Sequence, residues 1–394
     1  MKIRVGVFFG GSSVEHEISV ISALQAIAAM DSEKYEVVPV YITRGDEFYT
    51  GEALKKIEHF SDPKKLLAES RQVILVKGRQ CIELYPYPFG VFSKKPCAQI
   101  DVAFPIVHGT NVEDGTLQGY LHYFGVPVVG CDVLASAVGM DKYVMKTVLK
   151  DAGVPVLDCV HFSLFDYERD REALLTRIAG TLGFPVIIKP IDLGSSVGIR
   201  IARDADQLPD CIDYAFRYAS SILVEPAITH LREINCSVLG DQEHAEASEC
   251  EEPAGSDEIL SYKDKYLSSG ASKGMASVQR KLPADLSPAQ REEIRALAVR
   301  TFQAIRCNGV VRIDFMIDCD TDRVYVNEIN TIPGSLAFYL WQAGGVPYKE
   351  LLDRLIQLAF KRSREQQQVS YDYQTDILKG FSFGGAKGAK GAKL

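Results

Sequence analysis

The sequence predicts a doubly wound α/β unit with a parallel sheet, followed by two α+β units in a three-domain chain. Three observations lead there. The near-continuous apolar runs KIRVGVFF, EVVPVYI and DVAFPIV are interspersed with helical patterning in residues 1–130, as strands buried on both faces require. Between residues 184 and 228 the runs FPVIIKP, IRIA and SILVEPAI show no βαβ rhythm, which indicates antiparallel pairing. Beyond residue 229, alternating strand patterns and amphipathic helices share one segment.

The first strand runs into Gly10 and Gly11. The segment SSVEHEISVISALQAIAAM then carries Val14, Ile18, Ile21, Leu24 and Ala28 at helical spacing. Residues 43–98 read as polar and irregular, with no site. Gly115 to Phe124 reads as a helix and GVPVVG as a short strand closing the first domain, 1–130. The central domain, 131–228, opens on the helix MDKYVMKTVLKDAG, stopped by Gly153 with Pro155 beyond it. The third, 229–365, holds the alternating REINCSVLG, a polar loop at 251–283, a helix at 287–305, a hairpin at 309–334 and a helix near 348–362. Loops longer than about 15 residues are usually lids or unstructured, and Tyr262, Lys263, Lys265 and Tyr266 favour a lid. The tail, 366–394, ends in the Gly-rich basic repeat GGAKGAKGAKL, expected to be a disordered, solvated appendage or an expression remnant.

Composition removes several function classes. With 394 residues, 46% hydrophobic and 24% charged, this is the make-up of a soluble globular chain. A net charge of −8 with no basic stripe argues against nucleic acid or an anionic membrane as partner. No apolar run approaches the roughly 20 residues that span a bilayer. The N-terminus lacks a small-residue cleavage site and reads as a strand, not a signal peptide. Nine cysteines with no Cys-x-x-Cys pair fit a reducing cytoplasm and roles as small core residues.

The hairpin GVVRIDFMIDCDTDRVYVNEINTIPG concentrates the chemistry. Alternation puts Val311, Ile313, Phe315 and Ile317 on one face of its first strand, and Arg312, Asp314 and Met316 on the other. On the second strand the same count groups Val324, Val326, Glu328 and Asn330, opposite Tyr325, Asn327 and Ile329. Antiparallel pairing then sets Arg312 and Asp314 across from Glu328 and Asn330. Burying those carboxylates unpartnered would cost several kcal/mol, so a cation is expected. Hard oxygens from Asp314, Glu328 and Asn330 suit Mg²⁺, which completes its shell with water and phosphate oxygens. Arg312 beside them suits a transferring phosphoryl group. A solvated face with cross-strand charge pairs is the competing reading.

Lys189 leaves a buried strand beside IDLGSSVG, where its ammonium, the Ser195 and Ser196 hydroxyls and backbone N–H groups can meet a triphosphate. The lysine precedes the glycines, so this is not a P-loop. Lys142 in MDK is a phosphate contact or a helix-surface lysine. Glu15 either closes a capping box with Ser12 or holds an ammonium group at the mouth of the first strand–helix turn. In HGTNVEDGTLQG, His108, Glu113 and Asp114 form a substrate loop or a helix N-terminus with acidic first-turn residues.

Taken together, FGGSSVEHEIS, HGTNVEDGTLQG, MDK, IIKPIDLGSSVG, VEPAI, YKDKY, RIDF and NEINTIPG resemble the D-alanine–D-alanine ligases of the ATP-grasp superfamily, in the family's order. The resemblance implies that two α+β domains sandwich ATP, that Glu15 binds the first D-alanine's ammonium, and that Ser195 and Tyr266 hold the lid closed with it. Lys142, Lys189, Ser195, Ser196 and Lys265 would meet the ATP phosphates. Glu225, Ala227 and Ile228 would line the adenine pocket, and Glu233 would bind ribose if one extra residue is allowed before it. Asp314, Glu328 and Asn330 would hold two Mg²⁺ ions (Mn²⁺ substituting). Arg312, Gly334 and His108 would serve the substrates. The implied reaction passes through an acyl phosphate, in a cytoplasmic homodimer serving peptidoglycan synthesis. Two departures lie on the second-substrate side. Tyr339 falls where the family has a serine, and the loop carries SSGASKGMAS. A ligase with another acceptor, D-serine, D-lactate or a different amino acid, is the alternative. Tyr266 favours an amino acid, because the family's D-lactate-using relatives tend to have histidine there.

Overall fold

The computed structural model describes residues 2–90, 95–194, 197–253 and 280–370. Ser195, Ser196, Lys265, Tyr266, most of the expected lid and the basic tail lie outside them.

Three sheets organise the chain. The first contains β1 (Ile3–Gly10), β2 (Tyr35–Ile42), β3 (Phe48–Thr50), β4 (Arg71–Lys77), β5 (Ile82–Pro86), β6 (Ala98–Ile100) and β7 (Val102–Pro105), in the order β6-β5-β4-β3-β2-β1-β7. Only β2-β1-β7 pair in parallel, the part carried by the apolar runs. The segment expected to be irregular, 43–98, instead supplies an antiparallel arm through β3, β4 and β5. β4 does carry the apolar run 73–76, but β3 and β5 are short and only half-buried, so the segment as a whole reads as polar. The helix His16–Ala29 follows β1. Val14, counted from sequence on its apolar face, precedes it and is 54% exposed.

The second sheet contains β8 (Val160–Ser163), β9 (Val186–Pro190), β10 (Arg200–Ala202) and β11 (Ser221–Pro226), all antiparallel, in the order β10-β9-β11-β8. Val186, Ile188, Ile222 and Val224 turn toward a core closed by Ile178 and Ile212 from two helices. The alternate residues Lys189, Leu223 and Glu225 therefore share the opposite face.

The third sheet contains β12 (Leu231–Gly240), β13 (Ala245–Pro253), β14 (Arg280–Lys281), β15 (Gly309–Asp318) and β16 (Arg323–Asn330), in the order β14-β13-β12-β15-β16. One face packs Ile234, Cys236, Ile313, Phe315 and Val326 against the helix Pro288–Ala304. That helix starts where expected, because Ser287 and Gln290 form a reciprocal capping box with proline in the first turn. Met145 and Leu149 of the helix Lys142–Asp151 enter this third core, although sequence grouped them with the central unit. Leu351, Leu352, Leu355 and Ile356 of the C-terminal helix Tyr348–Gln367 pack in the core of the first sheet.

The hairpin β15–β16 carries one correction. Asp314 pairs with Glu328, but Phe315 pairs with Val326, leaving Asn327 as an extra residue in a bulge. Val324 and Val326 consequently join Phe315 and Ile317 on the apolar face, while Glu328 and Asn330 lie opposite Asp314 and Arg312 on the other. The expected facing of the four polar residues holds; the grouping of the two valines with Glu328 and Asn330 does not. Simple alternation cannot pass through a bulge, which shifts the face by one residue.

All nine cysteines are free, with Cys131, Cys236, Cys250 and Cys307 buried. Among the described residues no helix is long and apolar enough to cross a membrane.

Candidate active site

The polar face of the third sheet is layered. Met316 lies beside Glu233, Asp314 beside Asn235, and Arg312 beside Ser237. One layer further along the same face, Val310 and Leu239 belong to the core of the first sheet. The hairpin's charged groups thus sit where the third sheet meets the first.

Arg312 donates from Nε and Nη2 to the two oxygens of Asp314 at 2.6 and 2.7 Å, and Asn330 Nδ2 reaches Asp314 Oδ2 at 3.2 Å. Burial works against the Arg312 charge, yet Asp314 holds the guanidinium well above its usual range. Among the described residues no three His, Cys, Asp or Glu side chains gather at one point. The hairpin set is two carboxylates and an amide on one face. It fits Mg²⁺, which takes few protein oxygens and leaves room for phosphate.

From the second sheet, Lys189 ion-pairs with the fully buried Glu225 and donates to Asn327 Oδ1 at 3.0 Å across the gap to the third sheet. Lys146 adds a second ammonium 2.8 Å from Glu225 Oε2. Burial opposes the Glu225 charge, but Lys189 and Lys146 outweigh it and hold the carboxyl at about 2. The Glu225 side chain therefore faces lysines, leaving its backbone to line any pocket with Ala227 and Ile228. Both of those are half-buried, and the Ala227 N–H is bound to the Pro185 carbonyl.

Lys142 is not a surface residue. It is 9% exposed and its ammonium donates to the Leu193 carbonyl at 2.7 Å. Burial lowers its pKa while Glu328 opposes that shift. Glu233 is half-buried on β12 beside Met316.

The Ser12–Glu15 capping box does not form; the helix starts at His16 with no side-chain cap. Glu15 is 9% exposed between two loops. A Cβ added at Gly109 would lie 3.3 Å from its Oε2, and one at Gly194 would lie 3.7 Å from its Oε1. Gly109 has φ of +86°, so any other residue would strain the backbone as well as crowd the carboxylate. Glu15 thus adjoins both HGTNVEDG and the start of the Gly-Ser-Ser loop.

His108 is 4% exposed, with Nδ1 bonded to the Ile332 carbonyl at 2.8 Å and Nε2 to Ser22 Oγ at 2.9 Å. Its nitrogens thus face protein groups, tying the Ile332–Gly334 turn to the first sheet. Glu113 adds to this by accepting from Gly109 N at 3.0 Å and Ile332 N at 2.9 Å. Beyond Gly334, Ser335, Leu336 and Ala337 adopt φ of 53°, 52° and 50°, a left-handed turn without glycine. Such strain persists only where surrounding contacts hold it, here including Ser335 N–H to Ser22 Oγ at 2.8 Å.

Sequence reasoning missed a second cluster. Glu251 accepts from Asn235 at 3.1 Å, Arg280 at 3.0 Å and the Tyr339 hydroxyl at 2.8 Å, and Arg280 stacks 4.0 Å from the Tyr339 ring centre. Asn327 and Lys146 were missed too. Lys146, four residues after Lys142 on one helix face, was findable by spacing.

Two family descriptions match the chain: "D-ala D-ala ligase N-terminus" over residues 4–131 and "D-ala D-ala ligase C-terminus" over 148–357. A D-alanine–D-alanine ligase from Thermosipho melanesiensis is 37% identical over 96% of this chain and 98% of its own length. A D-alanine–D-alanine ligase A from Chromobacterium violaceum is 40% identical over 95% and 99%. Among solved structures, the D-alanine–D-alanine ligase from Coxiella burnetii superposes with a TM-score of 0.76 at 31% identity, covering 93% of this chain and 96% of that one. The VanG D-Ala:D-Ser ligase from Enterococcus faecalis gives a TM-score of 0.74 at 29% identity, covering 91% and 100%.

Proposed function

The chain belongs to the D-alanine–D-alanine ligase family, and on that premise we propose the work of each part of its site. The enzyme joins two D-alanines at the expense of ATP, for peptidoglycan precursor synthesis. A carboxylate oxygen of the first D-alanine attacks the γ-phosphorus, giving D-alanyl phosphate and ADP. The second amine attacks the acyl carbon, the bond to phosphate breaks, and the amine loses a proton. Alignment and charge neutralisation supply most of the rate.

Glu15 binds the first ammonium, held in place by Ser195 and Tyr266. Lys142, Lys189, Ser195, Ser196 and Lys265 receive the phosphates. The Glu225 backbone, Ala227 and Ile228 line the adenine pocket, and Glu233 takes the ribose. Arg312 and the Gly334 backbone receive the second D-alanine, and Arg312 stabilises the tetrahedral intermediate; His108 positions that turn. Asp314, Glu328 and Asn330 hold two magnesium ions, with manganese able to substitute, which when bound supply Lewis-acid neutralisation of phosphate charge. Residues 1–130, 131–228 and 229–365 act as three domains. The ends of the expected lid, 251–253 and 280–281, pair as β13 and β14 of the third sheet, so the part that closes to keep water from the acyl phosphate is 254–279. The enzyme works as a cytoplasmic homodimer, for which the exposed Tyr120, Tyr123, Val133 and Leu134 on two touching helices offer an apolar surface.

The observation that supports this reading best is Lys189, which reaches from the second sheet to the Asn327 bulge beside Glu328. The test is an ATP-dependent assay with D-alanine alone. Phosphate release with D-Ala–D-Ala formation is expected. Release only when D-serine or D-lactate is added would overturn the assignment of the second substrate, and ATP binding without turnover would overturn the mechanism.

A further inference from the structure

The buried lysines outnumber the carboxylate that pairs them. Lys142 and Lys146 stand four residues apart on the helix Lys142–Asp151, and Lys146 is 4% exposed. Its ammonium lies 2.8 Å from Glu225 Oε2, a buried ion pair. Lys189 pairs with the other oxygen, Oε1. Glu225 has no exposure to solvent that could screen either lysine.

Charge balance separates two cases. A Lys189–Glu225 pair alone is neutral and would offer a triphosphate little beyond a dipole. With Lys146 the three residues Lys146, Lys189 and Glu225 together carry one net positive charge, apart from Lys142, whose main opposing charge is Glu328. In a buried cleft low polarisability strengthens attraction to an anion. We propose that Lys146 is a positioning residue that balances Glu225, leaving the Lys189 charge to the phosphates of ATP. The proposal rests on the ATP-site reading above and adds to it a residue without direct contact with the nucleotide.

The test uses the full chain, with calorimetric titration by magnesium ATP and steady-state KM values for ATP and D-alanine. Lys146→Met is expected to weaken ATP binding by about tenfold to a hundredfold, with the D-alanine KM unmoved. Lys146→Arg should bind ATP within about threefold of the unaltered chain, because the charge is kept. The double variant Lys146→Met with Glu225→Gln removes one charge of each sign. It should recover most of the lost affinity, an outcome that a purely structural lysine would not produce. Undiminished ATP affinity in Lys146→Met would overturn the proposal, as would a double variant that binds no better than the single. If Lys146→Met fails to fold by its melting curve, the double variant decides. Binding within about threefold of the unaltered chain supports charge balance, and a loss of about tenfold or more overturns it. Absence of ATP binding by the unaltered chain would instead overturn the site reading, and the proposal with it.

Discussion

Lys189 on β9 donates to Asn327 on β16 at 3.0 Å, so one ammonium joins the second sheet to the third. Asn327 can accept it because the bulge turns the asparagine out of the ladder, between strands otherwise paired through Glu328 and Val326. Asn327→Ala should still fold, with a melting temperature lower by several degrees, since a hydrogen bond from a charged donor contributes about 1.5–3 kcal/mol and Lys189 keeps Glu225 as its partner. The ATP KM should rise several-fold as Lys189 loses its second acceptor. An unchanged ATP KM would show that the bridge has no part in nucleotide binding.

Glu328 pairs with Asp314 across the hairpin on the face of the proposed metal set. Glu328→Gln should fold normally by circular dichroism. It should lose about a hundredfold or more in phosphate release, in line with removing a group that fixes charge at the reacting phosphate. Manganese binding, followed by electron paramagnetic resonance with ADP present, should weaken in parallel. Full turnover in this variant would sink the metal assignment.

Tyr339 holds Glu251 together with Arg280 and Asn235, one layer from Arg312. In Tyr339→Phe the carboxylate keeps two of those three donors, so folding should persist. The KM for the more weakly bound D-alanine should rise several-fold while that for ATP stays put. A shift confined to ATP would place Tyr339 outside the second-substrate region.

Burial pushes the Glu113 carboxyl from 4.5 up to about 7, opposed by the N–H groups of Gly109 and Ile332. A carboxyl raised on folding is protonated more readily in the folded state. Its stabilising contribution is therefore complete below 4.5 and lost as pH rises through about 7. Denaturant unfolding should show stability falling by roughly 1–3 kcal/mol from pH 5 to 8 through this group. Glu113→Gln should flatten that slope. An equal slope in the variant would assign the pH dependence elsewhere.

Much of the site was legible because its parts are local. The alternation around Arg312 and Asp314 needs only the period of a strand, and IDLGSSVG and HGTNVEDG declare themselves by glycine and proximity to apolar runs. The capping box at Ser12 was equally visible in sequence, yet it is absent. A cap pattern states only what the backbone permits, whereas Glu15 is held between Gly109 and Gly194 from distant loops. The arm through β3, β4 and β5 escaped notice although β4 carries the apolar run 73–76, because the short, half-exposed β3 and β5 and the charged residues around them dilute that signal.

By itself, then, the sequence determined the parallel strands β1, β2 and β7, the hairpin and the identity of the charged residues on it. Apolar runs and a two-residue period are properties of neighbouring positions. The tertiary structure alone decided that Asn327 bulges, that Lys146 and Lys189 share Glu225, that Tyr339 and Arg280 close around Glu251, and that the C-terminal helix completes the first core. Each joins residues far apart in the chain, where burial and charge are balanced only once the sheets have come together.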